Sequence, residues 1–213
     1  MDGFLNKDGR VIVDDMVAVI VSNRAYLSDI DGLIGDGDHG VNMAKGFSMC
    51  GDELAGKDAS LSESLKCLGN VLMTEIGGSM GPLYGTFFNK MARKCRDMEA
   101  IDKTVFGDML REAAAGVASL GGANIGDKTM MDALVPAVAA YDKALEEGRS
   151  FTGCLADMTG AAEAGWLSTK EMTAKIGRAA RLGDRSKGVL DAGATSCFLL
   201  LQSMMRTILV LLG

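Results

Sequence analysis

The chain has 213 residues, with 22 basic and 28 acidic side chains, one histidine and a formal net charge of -6. This length is enough for one domain with a substantial core, and the acidic balance excludes a nucleic-acid binder, which needs a basic surplus to neutralise phosphates. Any bound anion would therefore require a local device such as a metal ion or a helix N-terminus.

The cysteines and the apolar segments bear on where the protein resides. The five cysteines are odd in number and form no C-x-x-C pair, which predicts reduced thiols in a cytoplasmic protein. The first ten residues lack the apolar region of a signal peptide. The apolar stretch 197–212 is interrupted by polar residues and is shorter than a membrane span, so we predict a buried core helix there and no membrane association.

Apolar residues recur at helical spacing along most of the chain, and no segment has the alternation typical of a strand. Start and stop signals predict eight helices with short connections, which favours an all-α, up-and-down antiparallel bundle. No linker or repeat divides the chain, so residues 1–213 are predicted to be one domain. Pro82 suits the first turn of a helix, whereas Pro136 predicts a kink or a later start. The predicted helices are 9–29, 41–55, 60–77, 82–97, 103–120, 129–147, 151–174 and 193–212.

Residues 29–42, DIDGLIGDGDHGVN, combine glycines and aspartates just before a predicted helix. The G-x-G-x-x-G within them is not a dinucleotide-binding fingerprint, because no strand precedes it. Asp31, Asp36 and Asp38 are instead a candidate ligand set for Mg²⁺, which is commonly held by a few carboxylates and by substrate phosphates. The alternative is an ordinary turn and helix cap. For His39 three interpretations are open: a general base, a hydrogen-bond donor to phosphate, or a capped loop residue.

Three further glycine-rich segments lead into predicted helices. Residues 77–86 (GGSMGPLYGT) and 121–130 (GGANIGDKTM) either offer backbone N–H groups to an anion or serve only as turns. Residues 175–193 are rich in glycine and arginine, so they form either an anion-binding loop or a solvated surface loop. Because alternate junctions of an antiparallel bundle lie at the same end, the four segments predict one composite site.

Four ordered motifs resemble those of the nucleotide-binding L subunit of bacterial dihydroxyacetone kinase and the C-terminal domain of single-chain dihydroxyacetone kinases. They are IGDGDHGVNMAKGF (34–47), GGSMGPLYGTFF (77–88), GDKTMMDALVPA (126–137) and GRAARLGDRSKGVLDAGATS (177–196). The likeness runs from about residue 10 to the C-terminus. It implies an eight-helix antiparallel barrel that binds a nucleotide, ADP or ATP, at one end.

The resemblance also implies the residues of that site. Two Mg²⁺ ions would be held by the positions matching Asp31, Asp36 and Asp38, and would bridge to the nucleotide phosphates. The family commonly has a serine where this chain has Met80, and often an aromatic residue where it has Arg181. The positions that match nucleotide contacts are His39, Gly40, Val41, Asn42, Ser79, Met80, Gly121, Met130, Arg178, Asp191, Ala192 and Gly193.

The L subunit of this family does not hold the sugar, so the resemblance implies a separate K-type subunit that binds the ketose. The sequence agrees, since it has no second histidine and no obviously desolvated lysine to capture a carbonyl. The phosphoryl donor is either ATP or a phosphohistidine protein of the phosphotransferase system, and the ketose is dihydroxyacetone or another such as erythrulose. A nucleotide-binding regulatory module without turnover and a purely structural bundle are the rival interpretations, and a homodimer is compatible with each.

Overall fold

The computed structural model describes residues 3–213, which form nine α-helices, three 3₁₀ helices and a two-stranded ribbon. The strands β1 (Gly3–Leu5) and β2 (Ala100–Asp102) pair antiparallel, with Phe4 opposite Ile101. The 3₁₀ helices are Asn6–Asp8, Thr169–Glu171 and Ala179–Ser186. The α-helices are α1 (Arg10–Ser22), α2 (Arg24–Ile34), α3 (His39–Leu54), α4 (Leu61–Glu75), α5 (Met80–Cys95), α6 (Lys103–Gly121), α7 (Met131–Glu146), α8 (Phe151–Ser168) and α9 (Ala192–Leu212).

The helices form a closed ring around one apolar core. From α3 to α9 each helix packs against the next one in the sequence, and α9 returns to pack against α1. Both α1 and α2 contact α3 and α9, so together they fill the eighth position of the ring. Since successive helices are neighbours, the arrangement is up-and-down, and the connections are short except for residues 169–191 between α8 and α9. The predicted all-α fold is confirmed.

The helix predicted over residues 9–29 is two helices, because the chain breaks at Asn23. This residue has φ -95° and ψ 10°, and its side-chain Nδ2 donates to the Val19 carbonyl at 2.8 Å. Asparagine competes in this way for backbone groups and so favours helix ends. The ribbon of β1 and β2 was not predicted, since each strand has three residues and only one of them is buried.

Pro136 lies inside α7, and a glycine on the neighbouring helix accommodates it. Proline has no N–H to donate to the carbonyl of Asp132, four residues earlier. Gly165 of α8 packs against that carbonyl, and a Cβ at this position would overlap the oxygen. The helix begins at Met131, two residues later than predicted, and Pro82 lies in the first turn of α5 as expected.

The last helix, α9, is the predicted core helix. Its length and composition alone would allow it to cross a membrane, but half of its apolar window is buried inside the protein. It packs against α1, α7 and α8, and Ala194 and Ile208 have no exposed surface. A polar contact also joins it to α1, where the Ser203 hydroxyl donates to Asp15 Oδ2 at 2.6 Å.

Candidate functional site

A cavity of about 520 Å³ opens at one end of the barrel, where four alternate connections meet. These connections lead into α3, α5, α7 and α9, and they contain the four glycine-rich segments of the sequence. The predicted gathering of these segments at one end is therefore observed. The volume is that of a typical small-molecule site.

Three carboxylates converge on the wall of this cavity. One oxygen each of Asp31, Asp36 and Asp38 lies within 4.8 Å of the other two. Asp31 extends from the last turn of α2, and the other two flank Gly37, whose φ of 77° suits glycine. The backbone N–H of His39 donates to Asp31 Oδ2 at 3.3 Å, which fixes this carboxylate beside the start of α3. Asp36 and Asp38 are exposed, so a hydrated cation can reach the group.

The connection between α8 and α9 forms part of the cavity wall. Its Arg178 forms an ion pair with Asp36, so a basic group of this segment contacts the acidic cluster. The segment is held by its own polar contacts. The Ser186 hydroxyl accepts from the Ala174 N–H at 2.9 Å and donates to the Gly183 carbonyl at 2.6 Å.

Helix N-termini surround the cavity, and the residues before α3 and α5, among them Ser79, make no side-chain capping bond. At α7 the first N–H groups are already used, since that of Met131 donates to the Thr129 hydroxyl at 3.2 Å. The N–H groups of a first turn carry partial positive charge and suit an anion. At α9, by contrast, Asp191 Oδ2 accepts from the Ala194 N–H at 2.7 Å. Burial raises the pKa of Asp191 to about 7, although this hydrogen bond and the charge of Lys128 oppose the rise.

His39 is buried at the start of α3 and belongs to a hydrogen-bond chain. Its Nε2 lies 2.9 Å from the Ser196 hydroxyl, which lies 2.7 Å from the hydroxyl of Tyr84. Burial lowers the pKa of His39 to about 4, and the charge of Asp31 only partly opposes this. A ring that stays neutral at pH 7 donates or accepts hydrogen bonds but supplies no positive charge to the site.

A buried lysine joins two of the connections. Lys128 is 2% exposed, and its Nζ donates to the carbonyls of Thr169 at 2.7 Å and Val189 at 2.6 Å. Burial lowers its pKa, and the charge of Asp191 partly opposes this. The expectation that no lysine is desolvated was wrong, because the burying segments are 41 and 61 residues away in sequence. The two carbonyls engage its ammonium group, which does not stand free as a nucleophile.

The connection before α7 is built around Asp132, which is 1% exposed. Its two carboxylate oxygens accept from the N–H groups of Gly126 at 2.5 Å and Thr129 at 2.7 Å. The preceding aspartate, Asp127, accepts from the Asn124 N–H at 2.8 Å. These bonds hold residues 122–130 as an ordered turn at the cavity wall.

Most of the predicted site residues line the cavity, but the first turn of α3 contributes less than expected. Gly40 packs against α2, where a Cβ would overlap the carbonyl of Arg24. Val41 is 43% exposed, and neither it nor Asn42 belongs to the cavity wall. The predicted residues on the wall are Asp31, Asp36, Asp38, His39, Ser79, Met80, Gly121, Met130, Arg178, Asp191, Ala192 and Gly193.

Several other wall residues could not be recognised from the sequence. Tyr84 and Lys128 stand inside quoted motifs, but nothing in their local sequence separates them from neighbouring residues. Leu83 and Val117 form part of an apolar wall, and their helical spacing is also that of ordinary core residues. Arg181, a departure from the family pattern, is exposed and is not part of the wall.

Comparison with known proteins decides the family. The model of the DAK2 domain matches residues 33–206. This chain belongs to the DAK2 domain family. The "PEP-dependent dihydroxyacetone kinase, ADP-binding subunit DhaL" of Escherichia coli is 39% identical over 187 residues, covering 87% of this chain and 89% of that protein. The motif resemblance to L subunits and the prediction of a kinase subunit are thereby confirmed.

Longer relatives contain this DAK2 domain as one part. The D-erythrulose kinase of Mycolicibacterium smegmatis is 32% identical over 186 residues, which are 86% of this chain and 32% of that protein. The crystal structure of the C. freundii dihydroxyacetone kinase with AMP-PNP and Mg²⁺ matches with a TM-score of 0.68 and 25% identity. That match covers 93% of this DAK2 domain chain and 33% of the kinase chain.

Proposed function

We propose that this chain is the Mg-nucleotide-binding subunit of a dihydroxyacetone-type kinase. It binds ADP or ATP with Mg²⁺, and a phosphoryl group passes from the nucleotide to a short ketose held by a separate K-type subunit. The observation that carries this proposal is the convergence of three carboxylates and the uncapped N-termini of α3 and α5 on one cavity. The name of the E. coli relative, an ADP-binding subunit, supports it, as does the AMP-PNP and Mg²⁺ complex of the C. freundii kinase.

The donor set of the cavity fits Mg²⁺. Hard divalent ions favour carboxylate oxygens, and Mg²⁺ commonly keeps waters and substrate phosphates as its remaining ligands. Asp31, Asp36 and Asp38 would hold two such ions, and the exposure of the last two leaves room for phosphate oxygens. When bound, the ions would neutralise the charge of the transferring phosphoryl group.

The protein groups around the carboxylates fall into two sets, one suited to the phosphates of a nucleotide and the other to its adenosine. The backbone N–H groups at the starts of α3 and α5, with Ser79, suit the phosphates. Gly121 and Met130 suit the adenosine, and Leu83 and Val117 add apolar surface next to them. Arg178 lies within reach of the carboxylates and so suits a phosphate oxygen brought there by the metal.

The surroundings of the cavity favour docking of another protein. Leu33, Leu120, Ile125 and Ile176 are exposed between 39% and 67% and lie on elements that border the mouth. Exposed apolar groups at the rim of a polar site are typical of a protein interface. A K-type subunit bound there would hold the ketose hydroxyl in line with the terminal phosphoryl group, and such positioning supplies much of the rate.

Two alternatives concern the donor and the sugar. The E. coli relative is named PEP-dependent, which favours a route in which bound ADP is rephosphorylated by a phosphohistidine protein. The similarity to a D-erythrulose kinase makes a four-carbon ketose the second candidate substrate. The sugar pocket lies on the partner in this proposal, so the partner decides between the two ketoses.

Reconstitution with a K-type subunit tests the proposal. Purified chain, Mg²⁺ and dihydroxyacetone are assayed for the phosphorylated sugar with each donor, namely ATP or the phosphohistidine carrier with phosphoenolpyruvate. We expect turnover only when both subunits are present. Robust turnover by this chain alone would overturn the two-subunit proposal. Mg-nucleotide binding without turnover by the pair on either ketose would favour the regulatory module.

A further inference from the structure

Three buried polar side chains from three different helices meet at the cavity wall. They are His39 at the start of α3, Tyr84 on α5 and Ser196 on α9, with exposures of 8%, 2% and 0%. The resemblance assigns a nucleotide contact to His39 but no role to the other two. We infer that Tyr84 and Ser196 are positioning residues that hold the His39 imidazole in one orientation at the phosphate end of the nucleotide site. This inference rests on the proposed function.

The contacts form a chain rather than a loose cluster. The Ser196 hydroxyl is at the centre, 2.9 Å from His39 Nε2 and 2.7 Å from the Tyr84 hydroxyl. The carbonyl of Gly193 closes the group, 3.1 Å from the Ser196 hydroxyl and 3.2 Å from that of Tyr84. Gly193 is in the first turn of α9 on the cavity wall, so the same hydrogen bonds also hold that turn in place.

The available hydrogens restrict what His39 can offer a ligand. Each hydroxyl has one hydrogen, and the carbonyl of Gly193 can only accept. If Tyr84 donates to Ser196, then Ser196 donates either to Gly193 or to His39 Nε2. In both cases Nε2 is committed to Ser196, either as donor or as acceptor. The other ring nitrogen, Nδ1, is therefore the one left for a ligand in the cavity.

A purely structural role does not account well for this series of hydrogen bonds between His39, Ser196 and Tyr84. Buried hydroxyls and imidazoles lose their hydration, and a core of similar volume is more simply built from apolar side chains. Here the polar groups link three helices whose N-termini or first turns border one cavity, and both ends of the hydrogen-bond chain, His39 and Tyr84, are wall residues. Without Ser196 the ring of His39 would turn about its side-chain bonds, and Nδ1 would lose its fixed direction.

Nucleotide affinity of matched variants tests the inference. We expect Ser196→Ala to raise the dissociation constant of Mg-ADP roughly tenfold and Tyr84→Phe roughly threefold, since each removes a hydrogen bond that orients His39. Because Tyr84 acts through Ser196, the double variant should bind no more weakly than Ser196→Ala alone. The control is Ser203→Ala, on the same helix and also 0% exposed, whose hydroxyl instead contacts Asp15. It should bind like wild type even where its thermal stability falls.

The single histidine gives a second readout that needs no nucleotide. In protein labelled with ¹⁵N-histidine, the Nε2 resonance should move in Ser196→Ala and Tyr84→Phe toward that of a mobile imidazole, and should stay in place in Ser203→Ala. If wild type binds Mg-ADP while Ser196→Ala has wild-type affinity and an unchanged spectrum, the inference is overturned and the proposed function stands. Equal weakening by Ser203→Ala would overturn it as well. Failure of wild type to bind Mg-ADP would overturn both.

Discussion

The guanidinium of Arg178 forms an ion pair with Asp36, one of the three aspartates that converge on the cavity. A positive group of the chain itself therefore lies beside the carboxylates that we propose as metal ligands. A metal ion at Asp36 competes with the guanidinium, whereas nucleotide phosphates offer the guanidinium a new partner. Arg178 consequently opposes binding of the metal alone and favours binding of the metal with a nucleotide.

Replacing Arg178 should change these two affinities in opposite directions. In Arg178→Gln we expect Mn²⁺ alone, followed by electron paramagnetic resonance, to bind up to about threefold more tightly, a small effect because the ion pair is exposed. Mg-ADP, followed by calorimetry, should bind roughly tenfold more weakly, because a charged phosphate contact is lost. Arg181→Gln, on an exposed arginine outside the cavity wall, is the control. A change of both affinities in the same direction would refute the competition.

Neutralising Asp36 or Asp38 should remove nucleotide binding but not the fold. In Asp36→Asn and Asp38→Asn we expect Mg-ADP no longer to raise the melting temperature, because a ligand stabilises a protein only when it binds the native state. The stability of the free chain should change by less than about 0.5 kcal/mol, since both residues are exposed. Asp58→Asn, an exposed aspartate at the opposite end of the barrel, should respond like wild type. Loss of helical circular dichroism without nucleotide would make these aspartates structural.

His39 and Asp191 should make opposite contributions to stability between pH 7 and pH 4. Burial lowers the pKa of His39 from 6.5 to about 4, so the unfolded chain binds more protons and this contribution is lost on acidification. Burial raises the pKa of Asp191 from 3.8 to about 7, so the folded chain binds more protons and this contribution grows on acidification. In wild type without metal the two contributions offset each other.

Asp191→Asn should reveal how the titration of His39 changes the free energy of unfolding with pH. Asparagine keeps a helix cap but does not titrate. We expect the free energy of unfolding of this variant to fall by about 2 kcal/mol between pH 7 and pH 5, whereas wild type changes much less. Urea denaturation in the presence of chelator measures both profiles. Parallel profiles for the two proteins would contradict the assignment.

Two glycines on α8 should respond oppositely to alanine. A Cβ at Gly165 would overlap the carbonyl of Asp132 on α7, so Gly165→Ala should destabilise the chain by about 2 kcal/mol or more. A Cβ at Gly160 would meet nothing within 4 Å, so Gly160→Ala should stabilise it by about 0.5–1 kcal/mol through helix propensity. Chemical denaturation compares the two. Equal effects would mean that α7 and α8 do not approach closely at Asp132.

The fold could be predicted where its signal is local. Helical spacing of apolar residues and glycine punctuation predict α3 to α9 and their order, because both signals depend on neighbouring residues. The first predicted helix, 9–29, is instead the two helices α1 and α2. The break at Asn23 was missed because polar helix residues are common, and its effect depends on how α1 and α2 pack against α3 and α9. The extension of the predicted helix 151–174 beyond Ser168 failed similarly, since the Thr169 carbonyl there is taken by Lys128, which lies 41 residues earlier.

The candidate site, too, could be predicted only where its residues are close together in the sequence. Asp31, Asp36 and Asp38 lie within eight residues of one another, so a short segment reveals that they can converge. The contact of His39 with Ser196 joins residues 157 positions apart, and that of Tyr84 with Ser196 joins residues 112 apart. Such pairs have no local pattern, and only the closed ring of helices brings them together. The placement of Gly40 against α2 likewise follows from helix packing and not from its motif.

Calorimetric titration of ADP into the full chain, first with excess Mg²⁺ and then with chelator, tests most directly the claim that a metal joins the nucleotide to the aspartates. Asp31, Asp36 and Asp38 and the net charge of -6 repel bare phosphates, so the metal is required for attraction. We predict binding of about one nucleotide per chain with Mg²⁺, and affinity weaker by roughly 100-fold or more in chelator. Equal affinity in the two conditions would contradict the account.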